Sequence, residues 1–385
     1  MKKTEKKYDK QLKKGIFRFE IIIFTVLLII VCTFLTVIKP PVKFSENENR
    51  TLSGRPEFSF DSLVSGDFFS SLGTYFTDQF AGRDMWMRMS AEGKKLEGKK
   101  DIGGCYIGKD GYLFEEPEKP DKEACENTVK AINRFAEKNK KLHIYALFVP
   151  GAPSILTEKL PLKAPVGNQI KDLETMEKGL KNVKVLDPVK TLKDNKDKYI
   201  YYRTDHHWTS CGAYQVFKAT APEMGIDNPY KYKETKVTES FYGTLSSKTG
   251  IFRNPDSVSL YKPEDCKVNY VVNYMNDEDL RTTCFKEEEL KKKDKYLVFF
   301  GGNYPVIDIK TTSDSNRSLL VLKDSYANSY IQFLYPYYRR IIVIDPRYYY
   351  DNVETVIKTY GITDVLFIYS GNTIIKDTNL ADALG

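Results

Sequence analysis

An apolar run near the N-terminus constrains this chain more than any other feature. Residues 21–38 read IIIFTVLLIIVCTFLTVI and contain no charged side chain. A helix needs about 20 apolar residues, with a range of roughly 17–25, to cross the hydrocarbon core of a bilayer. A cleaved signal peptide is the alternative, but its apolar region has about 7–15 residues and ends in a small-residue cleavage site. Lys39-Pro40-Pro41 follows here, so we expect an uncleaved transmembrane helix.

The distribution of charge predicts how that helix is oriented. The net charge is +7, and residues 1–20 contain eight Lys and Arg against three Asp and Glu. Most of the excess therefore precedes the apolar run, which favours a cytoplasmic N-terminus, a single pass through the cell membrane and an extracellular C-terminal domain. A nucleic-acid-binding protein carries its basic residues on the folded domain, so we expect no nucleic-acid partner.

Length and composition suit one large domain beyond the membrane helix. The chain has 385 residues and is 41% hydrophobic, which excludes a wholly disordered protein. We predict a basic cytoplasmic tail (1–20), the transmembrane helix (21–38), a stalk rich in Pro, Ser, Asn and Glu (39–60) and an extracytoplasmic domain (61–385).

The six cysteines do not indicate a bound metal. They contain no Cys-x-x-Cys pair, so a zinc ribbon is not predicted, and we expect no cofactor. Scattered buried thiols and a disulfide between Cys266 and Cys284 both stay open as interpretations.

Helical segments and short apolar runs alternate along two parts of the chain. Residues 121–186 and 319–369 each read as strands joined by helices, which predicts a parallel sheet with helices on both faces. The part between them, about 222–317, has Lys-rich loops and β-like runs and reads as an insertion. Within these parts we predict strands at 296–300, 319–322 and 365–369 and a helix at 326–334.

Polar residues follow two of the predicted strands. Lys323-Asp324-Ser325 comes after strand 319–322, and Ser370-Gly371-Asn372 comes after strand 365–369. Ligands of an open parallel sheet bind at the carboxyl ends of its strands. Ser325 would lie there beside free backbone N–H groups that can hold an oxyanion. The structural alternative is that Asp324 or Ser325 only caps the following helix.

Histidine occurs at three positions, and two of them lie in one short motif. His143 falls in an apolar run and reads as structural, whereas His206 and His207 belong to the string Arg203-Thr204-Asp205-His206-His207-Trp208. A serine nucleophile needs a base, and the base needs an orienting carboxylate. Asp-x-His supplies both. A purely structural histidine is the alternative, and no further cluster at ligand spacing supports a metal site.

The Asp205-His206-His207-Trp208 string resembles the signature of the DHHW family of bacterial envelope proteins. That family is similar to the alginate O-acetyltransferases, which carry an SGNH-hydrolase-like, flavodoxin-like domain. The resemblance implies that Ser325 is the nucleophile, His207 the general base and Asp205 its carboxylate partner. It also implies a circularly permuted motif order, because Asp205 and His207 precede Ser325 in this chain.

The resemblance leaves the oxyanion donors open. Gly371-Asn372 resembles the Gly-x-Asn block of SGNH hydrolases, but here the two residues are adjacent. Gly302-Asn303 is the competing source. Substrate or loop support falls to the neighbours of the predicted triad, which are His206, Trp208, Arg203 and Asp324.

The leading functional prediction is a membrane-anchored O-acetyltransferase that modifies cell-envelope polysaccharide. The resemblance implies a multi-spanning membrane acyltransferase as the partner that delivers acetyl groups. A carbohydrate acetyl esterase would use the same triad with water as the acceptor. A non-catalytic envelope protein that binds glycan or scaffolds an assembly is a further alternative, with the 27 tyrosines offering stacking faces for sugars.

Overall fold

The computed structural model describes the backbone of residues 2–45, 50–275 and 279–385. Within these ranges it describes the side chains from residue 13 onward, except that of residue 50. The chain divides into two compact units, Met1–Glu97 and Gly98–Gly385.

The first unit is helical. It contains a long helix α1 (Lys2–Ile38), a two-stranded antiparallel pair and three short helices. The part of α1 from Lys13 to Ile38 is long and apolar enough to cross a membrane, and its apolar side chains are mostly exposed. The other elements are β1 (Phe44–Ser45), β2 (Arg50–Thr51), α2 (Phe60–Ser65), α3 (Asp67–Gln79) and α4 (Arg83–Leu96).

The second unit is a mixed α/β domain. Its strands are β3 (Asp101–Ile102), β4 (Cys105–Ile107), β5 (Leu113–Glu115), β6 (His143–Val149), β7 (Lys184–Val185), β8 (Tyr232–Phe241), β9 (Asp256–Pro263), β10 (Tyr270–Tyr274), β11 (Asp279–Arg281), β12 (Val306–Thr311), β13 (Ser318–Lys323), β14 (Arg340–Ile344) and β15 (Asp364–Ser370). Its helices are α5 (Lys122–Lys138), α6 (Ala152–Ile155), α7 (Gln169–Gly179), α8 (Val189–Asp194), α9 (Ser210–Thr220), α10 (Thr244–Thr249), α11 (Val353–Tyr360), α12 (Gly371–Ile374) and α13 (Asn379–Ala383). Eight 3-10 turns complete it: Lys109–Gly111, Thr157–Lys159, Pro222–Met224, Glu287–Lys291, Lys295–Val298, Ser325–Ser329, Ile331–Phe333 and Tyr335–Tyr337.

The central sheet has the strand order β11-β10-β12-β14-β13-β15-β6-β7. Strands β14, β13, β15, β6 and β7 are parallel, and β12, β10 and β11 extend the sheet antiparallel. The predicted parallel sheet is therefore present in these five strands, and the three antiparallel strands were not predicted. The three antiparallel strands come from within residues 222–317, and they pair with the edge that β14 would otherwise leave open.

Helices cover both faces of the sheet, as strand periodicity requires. On β13, Leu320 and Leu322 pack in a cluster with α5, α7 and α11, while Leu319 and Val321 pack in a second cluster with α9. Successive side chains of a strand point to opposite faces. The inner strands are therefore apolar on both sides, and chemistry is confined to the loops at their ends.

Two predicted elements have a local structure that differs from the prediction. Residues 296–300 were predicted as a strand but lie in and after the 3-10 turn Lys295–Val298. The predicted helix 326–334 is a series of 3-10 turns. In an α-helix the carbonyls of Ser325 and Tyr326 would accept from N–H groups four residues on. Instead they accept from the Tyr296 hydroxyl and the Trp208 indole.

Candidate active site

Asp324 joins the two loops that end β13 and β15. Its Oδ1 accepts from the N–H of Tyr326 at 2.9 Å, and its Oδ2 accepts from the N–H of Ser370 at 3.0 Å. Asp324 is therefore the cap of the 3-10 turn that begins at Ser325, and it holds the Ser370 loop beside that turn. Because β13 and β15 are parallel neighbours, both loops lie at one edge of the sheet.

Asp205, His207 and Ser325 form a chain of hydrogen bonds across that edge. His207 Nδ1 lies 2.6 Å from Asp205 Oδ1, and His207 Nε2 lies 2.8 Å from Ser325 Oγ. Asp205 and His207 are buried, whereas Ser325 keeps part of its surface exposed. The structure thus brings together the three residues predicted as a triad, although 118 residues separate His207 from Ser325.

The second oxygen of Asp205 binds the start of helix α10. Oδ2 accepts from the Thr244 N–H at 2.9 Å and from the Thr244 hydroxyl at 3.1 Å. A Cβ on Gly243 would lie 2.3 Å from the Asp205 Cβ. Only glycine therefore lets the α10 turn approach the carboxylate so closely, and no sequence motif predicted this contact.

Burial and neighbouring charges together set the pKa values of Asp205 and His207. Burial opposes ionisation of Asp205, but the His206 and His207 charges and the hydrogen bonds from His207 and Thr244 hold its pKa well below the usual range. Burial lowers the pKa of His207, the His206 charge lowers it further, and Asp205 only partly opposes this. At neutral pH the pair is therefore a carboxylate beside a neutral imidazole. A neutral imidazole with its Nδ1–H on Asp205 can accept a proton at Nε2.

A buried aspartate that was not predicted supports the Asp-His loop. The Asp256 carboxylate, at the start of β9, accepts from the backbone N–H groups of Arg203 and Thr204, both at 2.8 Å, and from the Thr204 hydroxyl at 2.6 Å. The Arg203 guanidinium lies over the Tyr199 ring at 4.7 Å. Arg203 thus lies in the loop that Asp256 binds, and its predicted role in substrate or loop support stays a prediction.

Tyr296 packs on the face of the His207 ring. The two ring centroids are 3.9 Å apart with an interplanar angle of 12°. The Tyr296 hydroxyl donates to the carbonyl of Ser325 at 2.9 Å. One side chain thus contacts both the imidazole and the 3-10 turn that begins at Ser325. No motif or spacing predicted it, because Tyr296 and His207 are 89 positions apart in the chain.

The neighbours of His207 in the motif have separate tasks. The Trp208 indole is fully buried, donates to the Tyr326 carbonyl at 2.9 Å and stacks on Tyr330 with the ring planes 9° apart. Trp208 therefore stabilises the 3-10 turn Ser325–Ser329. His206 is part-buried, and its Nδ1 lies 2.8 Å from the Thr244 hydroxyl.

Asn372 is engaged by two side chains that were not predicted. Its amide Nδ2 donates to Glu115 at 3.2 Å, and its Oδ1 accepts from the buried Gln169 at 2.6 Å. Gln169 also accepts from the Gly151 N–H at 2.8 Å. A Cβ on Gly371 would lie 2.6 Å from the Gln169 side chain. The Gly371-Asn372 pair therefore stands at the sheet edge but is tied to the loop after β6.

The competing pair, Gly302 and Asn303, belongs to a different cluster. Asn303 Oδ1 accepts from Lys323 Nζ at 2.7 Å, and the Gly302 carbonyl lies 3.4 Å from the Asn328 amide. Lys323 is fully buried, also donates to Asn328 at 2.9 Å and lies 3.5 Å from an Asp345 oxygen. Burial lowers the pKa of Lys323 to about 8. This network supports the strand end below Ser325.

A small pocket of about 30 Å³ lies beside Asp205 and His206. It is large enough for about two water molecules. Among its lining residues are Glu115, Gly151, Gln169, His206, Tyr326 and Asn372.

The ligand atoms of Asp205, His206 and His207 lie within 4.8 Å of one another, a spacing compatible with a metal ion. The hydrogen bonds already described use both oxygens of Asp205 and the Nδ1 atoms of both histidines. A metal would have to displace them, so the donor set fits a hydrogen-bonded triad better than a metal centre.

Solved structures of three proteins resemble this chain. A DHHW family protein from Eubacterium siraeum is 26% identical, with a TM-score of 0.64 over 73% of this chain and 95% of that one. Bacillus cereus PatB1, solved with a sulfonyl adduct, is 23% identical, with a TM-score of 0.60 over 70% of this chain and 96% of that one, and it shares the fold. The O-acetyltransferase domain of Pseudomonas putida AlgJ is more distant, at 14% identity and a TM-score of 0.46 over 73% of this chain and 98% of that one.

Sequence comparison agrees with the motif. No curated protein matches the chain, but the model of the DHHW protein family matches residues 122–344, which is more than half of the chain. The match includes both the Asp-His-His-Trp string and Ser325. The resemblance predicted from the sequence is thus confirmed, and this protein belongs to the DHHW family.

Proposed function

We propose that this protein is a membrane-anchored, extracytoplasmic O-acetyltransferase that modifies cell-envelope polysaccharide. One observation carries the proposal, namely the continuous chain of hydrogen bonds from Asp205 through His207 to Ser325. A serine hydroxyl becomes a useful nucleophile when a neutral, oriented imidazole can take its proton. The depressed pKa of His207 supports this role, because it keeps the base neutral.

The first half-reaction acylates Ser325. Its Oγ attacks the carbonyl carbon of an acetyl donor while His207 Nε2 takes the hydroxyl proton. The tetrahedral intermediate collapses, the bond to the donor's leaving group breaks, and the imidazolium returns the proton to that group. Asp205 stabilises the imidazolium through Nδ1.

The second half-reaction transfers the acetyl group to the glycan. A sugar hydroxyl gives its proton to His207 Nε2 and attacks the acetyl-Ser325 carbonyl. Collapse of the second intermediate breaks the Ser325 ester, and the imidazolium returns the proton to Oγ. A new O-acetyl ester on the sugar leaves with the product, and the enzyme is restored.

We assign the oxyanion donor to a backbone N–H group. The candidate is the N–H of Ser325, the first residue of a 3-10 turn that Asp324 caps. Such N–H groups favour a developing negative charge. The Asn372 amide is the weaker candidate, because it already donates to Glu115.

The fold supports the proposed acetyltransferase function. We propose an SGNH-hydrolase-like domain of permuted order, with the Asp-His loop before the serine turn, in which residues 61–385 form the extracytoplasmic part and about 222–317 an insertion. The sulfonyl adduct of PatB1, a protein of the same fold, is consistent with a reactive nucleophile in that fold. The acetyl donor outside the cell would be supplied by a multi-spanning membrane acyltransferase.

An acceptor assay tests the proposal. The purified full chain is given an activated acetyl ester together with envelope polysaccharide, and both free acetate and glycan-bound acetyl ester are measured. We expect glycan O-acetylation that Ser325→Ala abolishes. Acetate release with no glycan ester at any acceptor concentration would contradict a transferase and identify an esterase.

A further inference from the structure

The short helices of the first unit expose a patch of apolar side chains. Phe58, Phe60, Val64 and Phe69 are 68%, 74%, 73% and 62% exposed; these four residues are called the apolar patch below. The ring of Phe68 joins two of them, with centroids 5.4 Å from Phe58 and 5.8 Å from Phe69. Large exposed apolar patches on proteins mark interaction surfaces.

The same helices pack against the end of the apolar helix α1. Cys32 and Thr36, one turn apart on α1, are buried. The Thr36 hydroxyl accepts from the Ala81 N–H at 2.9 Å, and the Thr36 carbonyl accepts from the Tyr75 hydroxyl of α3 at 3.3 Å. Thr36 is two residues from the end of α1, which is about 3 Å along the helix axis. Helix α3 therefore lies at the depth where α1 leaves the hydrocarbon.

Arg55 lies at the same end of α1. The Arg55 guanidinium donates to the carbonyls of Val37 at 2.7 Å and Lys39 at 3.3 Å. It thus caps the last turn of α1, where a positive charge is favoured. Phe58 follows three residues later, so it lies within about 10 Å of Arg55. The apolar patch therefore begins beside the C-terminal end of α1.

We infer that the apolar patch is inserted into the interfacial region of the outer leaflet, so that α2 and α3 form a second, monotopic membrane contact. Lipid is the occupant that fits, since α1 places these helices at the bilayer surface and the patch carries no charge. Away from the patch, α3 is polar and exposed at Thr74, which lies about 140° from Phe69 around the helix axis. An apolar face with a polar reverse is the pattern of interfacial helices. The inference rests on the anchor in the proposed function.

Fluorescence quenching by lipid tests this contact in the full chain. Two variants carry one tryptophan each on α3, Phe69→Trp in the apolar patch and Thr74→Trp on the polar face, both in a Trp86→Phe background. The remaining Trp208 is fully buried, and its signal is subtracted with the Trp86→Phe protein. Each variant is reconstituted in phosphatidylcholine vesicles with either ordinary or brominated acyl chains, and circular dichroism checks folding.

We expect brominated lipid to quench most of the emission at position 69 and little of that at position 74. Flotation with the vesicles but weak, equal quenching at both positions would overturn the inference and leave the anchor intact. Failure of the full chain to float with vesicles would overturn the anchor and this inference together. These two failures are therefore distinguishable.

Discussion

His206 and His207 are adjacent, yet their ring nitrogens have different partners. His207 bridges Asp205 and Ser325 through its two nitrogens, whereas His206 Nδ1 faces the Thr244 hydroxyl. The tilted rings are 3.9 Å apart, so the charge of one acts on the other. The proposed mechanism therefore gives the proton transfer to His207 alone.

Substitution of each histidine separates their roles. His207→Ala removes the base, and we expect the rate of acetyl transfer to fall by about 10³-fold or more. His206→Ala keeps the base and should cost less than about tenfold. Turnover of an acetyl ester is measured for both, with circular dichroism as the folding control. A folded, inactive His206→Ala together with an active His207→Ala would show that His206, and not His207, is the base.

The depressed pKa of His207 predicts the acid limb of the pH profile. The proposed base works only when it is unprotonated, and protonation becomes extensive only below the folded-state pKa. Because burial holds that pKa below the usual 6.5, we expect the acid-side fall in kcat/KM to be centred below pH 6.5. The profile is measured with an uncharged acetyl ester. A loss of rate centred above pH 7 would contradict the account.

Tyr296 is a positioning residue in this account. Its ring packs on His207 and its hydroxyl binds the Ser325 carbonyl. Tyr296→Phe keeps the ring and loses one buried hydrogen bond, whereas Tyr296→Leu loses the stacked face as well. We expect a several-fold loss of kcat for Phe, a larger loss for Leu and an unchanged KM for both. Equal losses in kcat would mean that stacking has no role.

The short helix α10 matters because of how closely its first turn approaches Asp205. Gly243→Ala puts a methyl group 2.3 Å from the Asp205 Cβ. We expect it to cost about 1–3 kcal/mol in unfolding free energy and to displace the carboxylate, so that activity falls with stability. Gly167→Ala is the control, because nothing lies within 4 Å of its added Cβ. Chemical denaturation with an activity assay measures both, and a neutral Gly243→Ala would refute the packing argument.

Local sequence pattern predicted the elements that follow the apolar run of a buried strand. Strands predicted at 319–322 and 365–369 are β13 and β15, because alternation and apolar runs determine a buried strand. The helix predicted at 326–334 failed, since Trp208 and Tyr296 take its carbonyls from distant parts of the chain. No local pattern contains such bonds.

The same reasoning applies to the site. The motif and the strand ends identified Asp205, His207 and Ser325, and the structure brings them into hydrogen-bonding distance. Asp256 and Gln169 were missed, because each is a lone polar residue whose partners are distant in sequence or in another element. Their importance follows from burial, which sequence periodicity does not report for single polar residues.

At the scale of the whole molecule, one helix among the described residues is long and apolar enough to cross a membrane, which predicts a testable topology. The basic residues that precede the apolar part of α1 favour a cytoplasmic N-terminus. Protease added to intact cells should remove a C-terminal tag and leave an N-terminal tag protected. A cytoplasmic marker that stays uncut is the control for cell integrity. Protection of the C-terminal tag in intact cells would contradict an extracellular domain.

The central claim is that Ser325 carries the acetyl group between donor and glycan. The full chain is mixed with an activated acetyl ester, quenched in acid within the first turnover and digested, and its peptides are analysed by mass spectrometry. The account predicts one acetyl group on Ser325 and none in the Ser325→Ala variant. In protein with Ser325 intact, the acetylated form should accumulate only while the acceptor is withheld. Turnover with no acetylated Ser325, or full turnover by folded Ser325→Ala, would contradict it.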